Sequence, residues 1–220
     1  MHFDGSDVGL AGTNLDAFTV LPNGHILFST STEIGLAGIG SVYPEDVTEF
    51  VPTTLGTTTA GTFVRYFDGS NVGLYTTEHN VDGIAVLPDN RVLVSTTGRY
   101  TVMGLPIGED EDIIALTPTS LGTSTAGTWS IYFDGSDVGL STNANEDVNA
   151  FYIDSTGRIN LSTVGAFAVT GISGANEDIF VFTPTSLGST TSGTYATQLG
   201  FDGSLFGLSS YNVDGFFAQN

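Results

Sequence analysis

Residues 82–97, DGIAVLPDNRVLVSTT, decide the fold. Two runs rich in apolar and β-branched residues, 82–87 and 92–97, flank the turn cluster Pro88-Asp89-Asn90, which is the pattern of an antiparallel hairpin. Further along, 112–117 (DIIALT) forms a third run, expected to stop at Pro118. A fourth, 128–135 (TWSIYFDG), alternates, with Trp129, Ile131 and Phe133 pointing one way and Ser130 and Tyr132 the other. No stretch carries apolar residues at helical spacing across three turns, and 29 glycines among abundant Thr oppose helix. The chain reads as all-β.

The same order of segments returns along the chain. Phe-Asp-Gly-Ser occurs at Phe3, Phe67, Phe133 and Phe201, at spacings of 64, 66 and 68 residues. Asn-Leu-Asp-Ala-Phe (14–18) is echoed at 80–84, 147–151 and 212–216, and Thr/Ser/Gly stretches recur at 53–62, 119–128 and 185–194. Four strands at a period of about 65 residues is the layout of a β-propeller blade rather than of a shorter solenoid rung. The expected repeats are 16–68, 82–135 and 148–202, with a fourth-type strand at 2–6 and a first-type strand at 213–218. Because propellers close with about 4–8 blades, the expectation is part of a larger ring, completed by a longer chain or by copies of itself.

The hairpin LPDNRVLVST (87–96) resembles the first two strands of NHL, SMP-30 and related bacterial propellers. That resemblance implies that the strand before the turn is innermost and lines a central axis. It further implies, by likeness to SMP-30-type lactonases, a channel in which acidic and amide side chains hold a metal.

Composition narrows function. The 220 residues carry 24 Asp+Glu against four Lys+Arg, all arginine, for a net charge of -20. A nucleic-acid partner needs clustered cations, so that class is excluded, and adhesion to an anionic membrane with it. Cys is absent, which removes disulfides, thiolate metal sites and cysteine nucleophiles. No apolar run approaches the roughly 20 residues of a membrane helix, residues 1–20 show no basic and apolar signal-type stretch, and no membrane insertion is expected. Zero Lys, zero Cys and richness in Thr, Gly and Asp suggest an extracellular or cell-surface protein.

Sorting acids by connection places 21 of the 24 at one face of the disc, in loops opposite the Thr/Ser/Gly loops. Mutual repulsion there disfavours the compact state, and divalent cations would relieve it. Carboxylate, amide and carbonyl oxygens suit Ca²⁺. The leading candidate ligands are the pairs Asn14/Asp16, Asn80/Asp82, Asp147/Asn149 and Asn212/Asp214, which encircle the channel mouth; the competing reading is turn capping. Secondary candidates are Asp4, Asp7, Asp68, Asp134, Asp137, Asp112 and Asp178, several of them in Asp-Gly turns. Tyr100 and Phe167, in loops between second and third strands, are candidate anchors for a protein or glycan ligand. His79 lies near enough in sequence to reach the mouth. No placed Ser–His–Asp set, HExxH or P-loop is present. The expected function is a non-enzymatic binding, adhesion or scaffold module with a Ca²⁺-binding acidic face. Alternatives are a lactonase-type metal hydrolase using the central channel, and a self-assembling unit of a surface layer or fibre.

Overall fold

The computed structural model describes residues 2–141 and 143–217. Its strands are β1 (Leu15–Val20), β2 (Ile26–Thr30), β3 (Ile34–Leu36), β4 (Gly40–Val42), β5 (Val47–Thr54), β6 (Ala60–Phe67), β7 (Val81–Val86) and β8 (Val92–Thr96). There follow β9 (Ile113–Ser120), β10 (Ala126–Phe133), β11 (Val148–Ile153), β12 (Ile159–Thr163), β13 (Phe167–Val169), β14 (Ile172–Gly174), β15 (Phe180–Ser186) and β16 (Ser192–Tyr195). Three four-stranded antiparallel sheets result, ordered β1-β2-β5-β6, β7-β8-β9-β10 and β11-β12-β15-β16. The small hairpins β3-β4 and β13-β14 sit in the connections between second and third strands. The first strands β1, β7 and β11 pack on one another, so the sheets radiate from a common axis in a β-propeller-like arrangement.

The second strands explain why sheets must stack. Every residue of β2 and β8 is buried, so both faces need cover. Leu27, Phe67, Ile84 and Trp129 fill the space between the first and second sheets; Leu93, Phe133, Phe151 and Phe180 fill the next. Each such side chain contributes about 1.5–3 kcal/mol on burial.

Two local expectations change. The third strands do not stop at proline but run through Pro52, Pro118 and Pro184. By that point the second strand has ended, so the missing N–H lies on a free edge. Each proline faces a glycine (Gly61, Gly127 or Gly193) whose Cβ would come within 2.6 Å of a third-strand carbonyl. In the third sheet the last strand ends at Tyr195, not near 202, because two extra residues before Phe201 break the ladder until the Ile179–Phe201 bridge.

Neither end forms the expected strand. Residues 5–8 make a 3-10 turn, and 213–217 run as irregular backbone beside β1 and β11; residue 218 lies outside the described residues.

Neighbouring sheets share one recurring joint. The backbone N–H groups of Asp4, Asp68 and Asp134 donate to the hydroxyls of Thr59, Thr125 and Thr191 in the next sheet, each at 2.9 Å. Those hydroxyls donate in turn to Gly56, Gly122 and Gly188 carbonyls. The same glycines donate to the carbonyls of His2, Tyr66 and Tyr132 at 2.9 Å, from φ values of 111°, 86° and 104° that favour glycine. Phe3, Phe67 and Phe133 meet Phe50, Trp129 and Phe182 edge-on at centroid distances of 5.2, 6.2 and 5.4 Å.

This joint corrects the sorting of loops onto opposite faces, since acidic connectors and Thr/Ser/Gly loops touch. Sheets twist by roughly 20–25° per strand on average, so the outermost of four strands is turned well away from the innermost and its end can reach the next sheet.

Replacing Thr125 with valine keeps the shape but strands the Asp68 N–H. The expected loss is about 1–3 kcal/mol in chemical denaturation, largely restored by Thr125→Ser.

Candidate functional site: the axial mouth

Each innermost strand opens with the same irregularity. The ladder steps from Leu15↔Thr30 to Phe18↔Phe28, from Val81↔Thr96 to Gly83↔Ser95, and from Val148↔Thr163 to Ala150↔Ser162. The residue set free by these bulges is Asp16, Asp82 or Asn149, and a bulge re-aims the side chain it carries. The hydroxyls of Ser29 and Ser95 brace it: Ser29 accepts from Ala17 N–H at 2.8 Å, and Ser95 donates to Asp82 Oδ1 at 2.7 Å. One position upstream of the strand, the carbonyls of Asn14, Asn80 and Asp147 accept from Ser31, Thr97 and Val164, closing the hairpin end.

Of the pairs predicted to ring the mouth, Asp16, Asp82, Asp147, Asn149 and Asp214 come close enough to bond or to feel one another's charge. Asp214 Oδ1 accepts from Asn149 Nδ2 at 3.1 Å. Asp82, Asp147 and Asn149 are 3%, 6% and 4% exposed, whereas Asn14 is exposed at the rim. Asp82 Oδ2, Asp147 Oδ1, Asn149 Oδ1 and Asn212 Oδ1 are buried without a hydrogen-bond partner. Burial, then the Asp214 charge, raises Asp16 to about 6; burial, then Asp110, Glu111 and Asp16, raises Asp147 to about 8. Burial and the facing Asp147 push Asp82 up as well.

Below these residues, Phe18, Ile84, Phe151 and Phe216 line a small space of about 140 Å³ at the axis. Among the described residues this is far smaller than the channel that the lactonase likeness implies.

The secondary candidates have structural partners. Asp4, Asp68 and Asp134 accept from the hydroxyls of Ser6, Ser70 and Ser136 in their own turns. Asp7 and Asp137 accept from Thr59 and Thr191 N–H across the sheet joints. Asp112 Oδ1 accepts from Gly135 N–H and its Oδ2 from Tyr100; Asp178 accepts from Gly203 and Ala175 N–H. Asp46, not singled out from sequence, does the same with Gly69 and Tyr43 and also pairs with Arg65. Among the described residues, no group of three or more Asp, Glu or His side chains is arranged to hold a metal ion.

Tyr100 and Phe167 are corrected as ligand anchors. They are 1% and 2% exposed; Tyr100 donates to Asp112 and Phe167 stacks on Phe180 at 3.9 Å. Their loops fold inward because the apolar sheet faces beneath need cover, leaving Met103 and Ile107 outside. His79 is buried, with the backbone nitrogen of Tyr75 3.1 Å from Nδ1 and that of Thr101 3.3 Å from Nε2, and burial lowers its pKa.

Comparison with known proteins adds little. No family model matches, and no curated protein matches. One solved structure found is a catalytically inactive virginiamycin B lyase from Staphylococcus aureus with quinupristin, at 9% identity and a TM-score of 0.38. The alignment covers 90% of this chain and 59% of that one. The β-propeller-like arrangement therefore rests on the three radiating four-stranded sheets themselves, and no named family is shown.

The raised carboxyls make a pH prediction for metal-free protein. Folded Asp16, Asp82 and Asp147 keep protons that the unfolded chain releases near its ordinary value of 3.8. The folded state then binds more protons between about pH 4 and about pH 8, so stability falls as pH rises. In chelator, the denaturation midpoint should drop from pH 5 to pH 8, and Asp82→Asn with Asp147→Asn should flatten that slope.

Proposed function

We propose that this chain is a non-enzymatic binding or scaffold module of a secreted or cell-surface protein, whose axial mouth takes a divalent cation, Ca²⁺ by its ligand chemistry. Its architecture on this reading is three complete blades of about 65 residues with pieces of a fourth. The observation that carries the reading is the set of four buried oxygens without partners, from Asp82, Asp147, Asn149 and Asn212. An unsatisfied buried polar group costs about 1–3 kcal/mol, more when charged. A cation bound by carboxylate and amide oxygens together would offset that cost. Ca²⁺ tolerates six to eight such ligands in irregular geometry, whereas Mg²⁺ demands a near-ideal octahedron. The extracellular placement is supported by composition: no Lys, no Cys and a surplus of acids.

The hydrolase alternative would use the same carboxylates; the small space of about 140 Å³ beneath them, lined by Phe18, Ile84, Phe151 and Phe216, favours a cation over a larger substrate. Isothermal titration of chelator-treated protein at low ionic strength should show saturable Ca²⁺ uptake. Replacing Asp82 and Asp147 by Asn together should weaken it at least about tenfold, since ligand charge count sets affinity. A flat titration with no thermal shift would overturn the reading.

A further inference from the structure

In each complete sheet the innermost strand is paired with a second strand, β1 with β2, β7 with β8 and β11 with β12. Residues 213–217 take the fourth innermost position without any ladder among the described residues. Val213 N–H donates to Asn176, Asp214 accepts from Asn149, and Phe217 meets Tyr152 edge-on at 5.6 Å. The segment 212–216 (NVDGF) repeats the start of β7 (NVDGI, 80–84), which is a ladder-forming strand. Beside it opens an apolar groove of about 910 Å³, bounded by Phe18, Val20, Leu21, Leu55, Tyr152 and Phe217.

The outer parts of the same missing sheet are present. Phe3 and Asp4 dock on the first sheet as Phe67 and Asp68 dock on the second. At the other end, Phe201 meets no following sheet among the described residues and stacks on Phe206 of its own turn, with Leu205 and Phe206 77% and 69% exposed. Among the described residues an innermost segment and an outermost end of a further sheet are in place, without two middle strands between them.

We infer that the groove beside residues 213–217 accepts the two middle strands of a further repeat of this same sequence type, added edge-to-edge as a β-strand is added to an open sheet. The established sheet-to-sheet interfaces define what fits: a strand apolar on both faces, like β8, followed by one like β9. A second copy of this chain could supply such strands only by dismantling a sheet of its own, because its middle strands are already paired on both sides. The inference is independent of the cation reading.

Aligning the repeats places Asn220 opposite Pro88, so appending residues 89–120 after Asn220 preserves the hairpin register of the second repeat. In the extended chain, amides of 213–217 should exchange at least about tenfold more slowly than in the parent, and the thermal midpoint should rise. A scrambled appendage of the same composition should do neither. Unchanged exchange, or equal slowing by the scrambled segment, would overturn the inference. So would a concentration-dependent dimer of the parent chain in which 213–217 are already protected, since a second copy would then be the occupant.

Discussion

The structure depends on the buttress between consecutive sheets, in which a threonine hydroxyl receives the backbone of one sheet and returns a hydrogen bond to its own glycine loop. Thr59, Thr125 and Thr191 are 3%, 3% and 4% exposed, so these bonds form out of water, where losing one is costly. The first two sheets each have a second strand buried on both faces and are therefore unstable until neighbours cover them. The buttress sets the angle at which that cover arrives. Phenylalanine from one sheet then lands edge-on against an aromatic ring of the next. Packing and hydrogen bonding thus specify the same geometry, which is the agreement across levels that makes a fold unique.

A second constraint acts inside each sheet. Asp46, Asp112 and Asp178 hold the turn before the third strand and the glycine after the fourth with one carboxylate. Gly69, Gly135 and Gly203 are pinned so closely that a Cβ would lie 2.3–2.4 Å from the carbonyls of Glu45, Glu111 and Glu177. Burial holds Glu111 up at about 7 and Asp112 at about 6. Much of the chain's acidity is therefore spent on internal fastening rather than displayed.

The all-β character and the order of strands within the three four-stranded sheets were legible because alternation, turn residues and self-similarity are local signals. The innermost Asp/Asn pairs were legible for the same reason. The partners of Asp4, Asp68 and Asp134 were not, since Thr59, Thr125 and Thr191 lie more than fifty residues away and belong to a different sheet. The recurring Leu-Gly-x-x-Thr at 55–59, 121–125 and 187–191 was the available signal, visible as a repeat but silent about its partner. Tyr100 and Phe167 were misread for a related reason: a loop's apolar residues look the same in sequence whether they face solvent or the sheet below. The bulge at Asp16, Asp82 and Asn149 also left no mark, because one extra residue in a ladder is defined only by the strand opposite.

The threonine buttress is asymmetric: one side offers a strand end, the other a loop. Stacking such units can proceed in a single sense only, like rungs laid tongue into groove, so the order of sheets about the axis has a built-in direction. Mirror-image or face-to-face arrangements of the same units would oppose tongue to tongue, and the fold excludes them without any further repulsive feature.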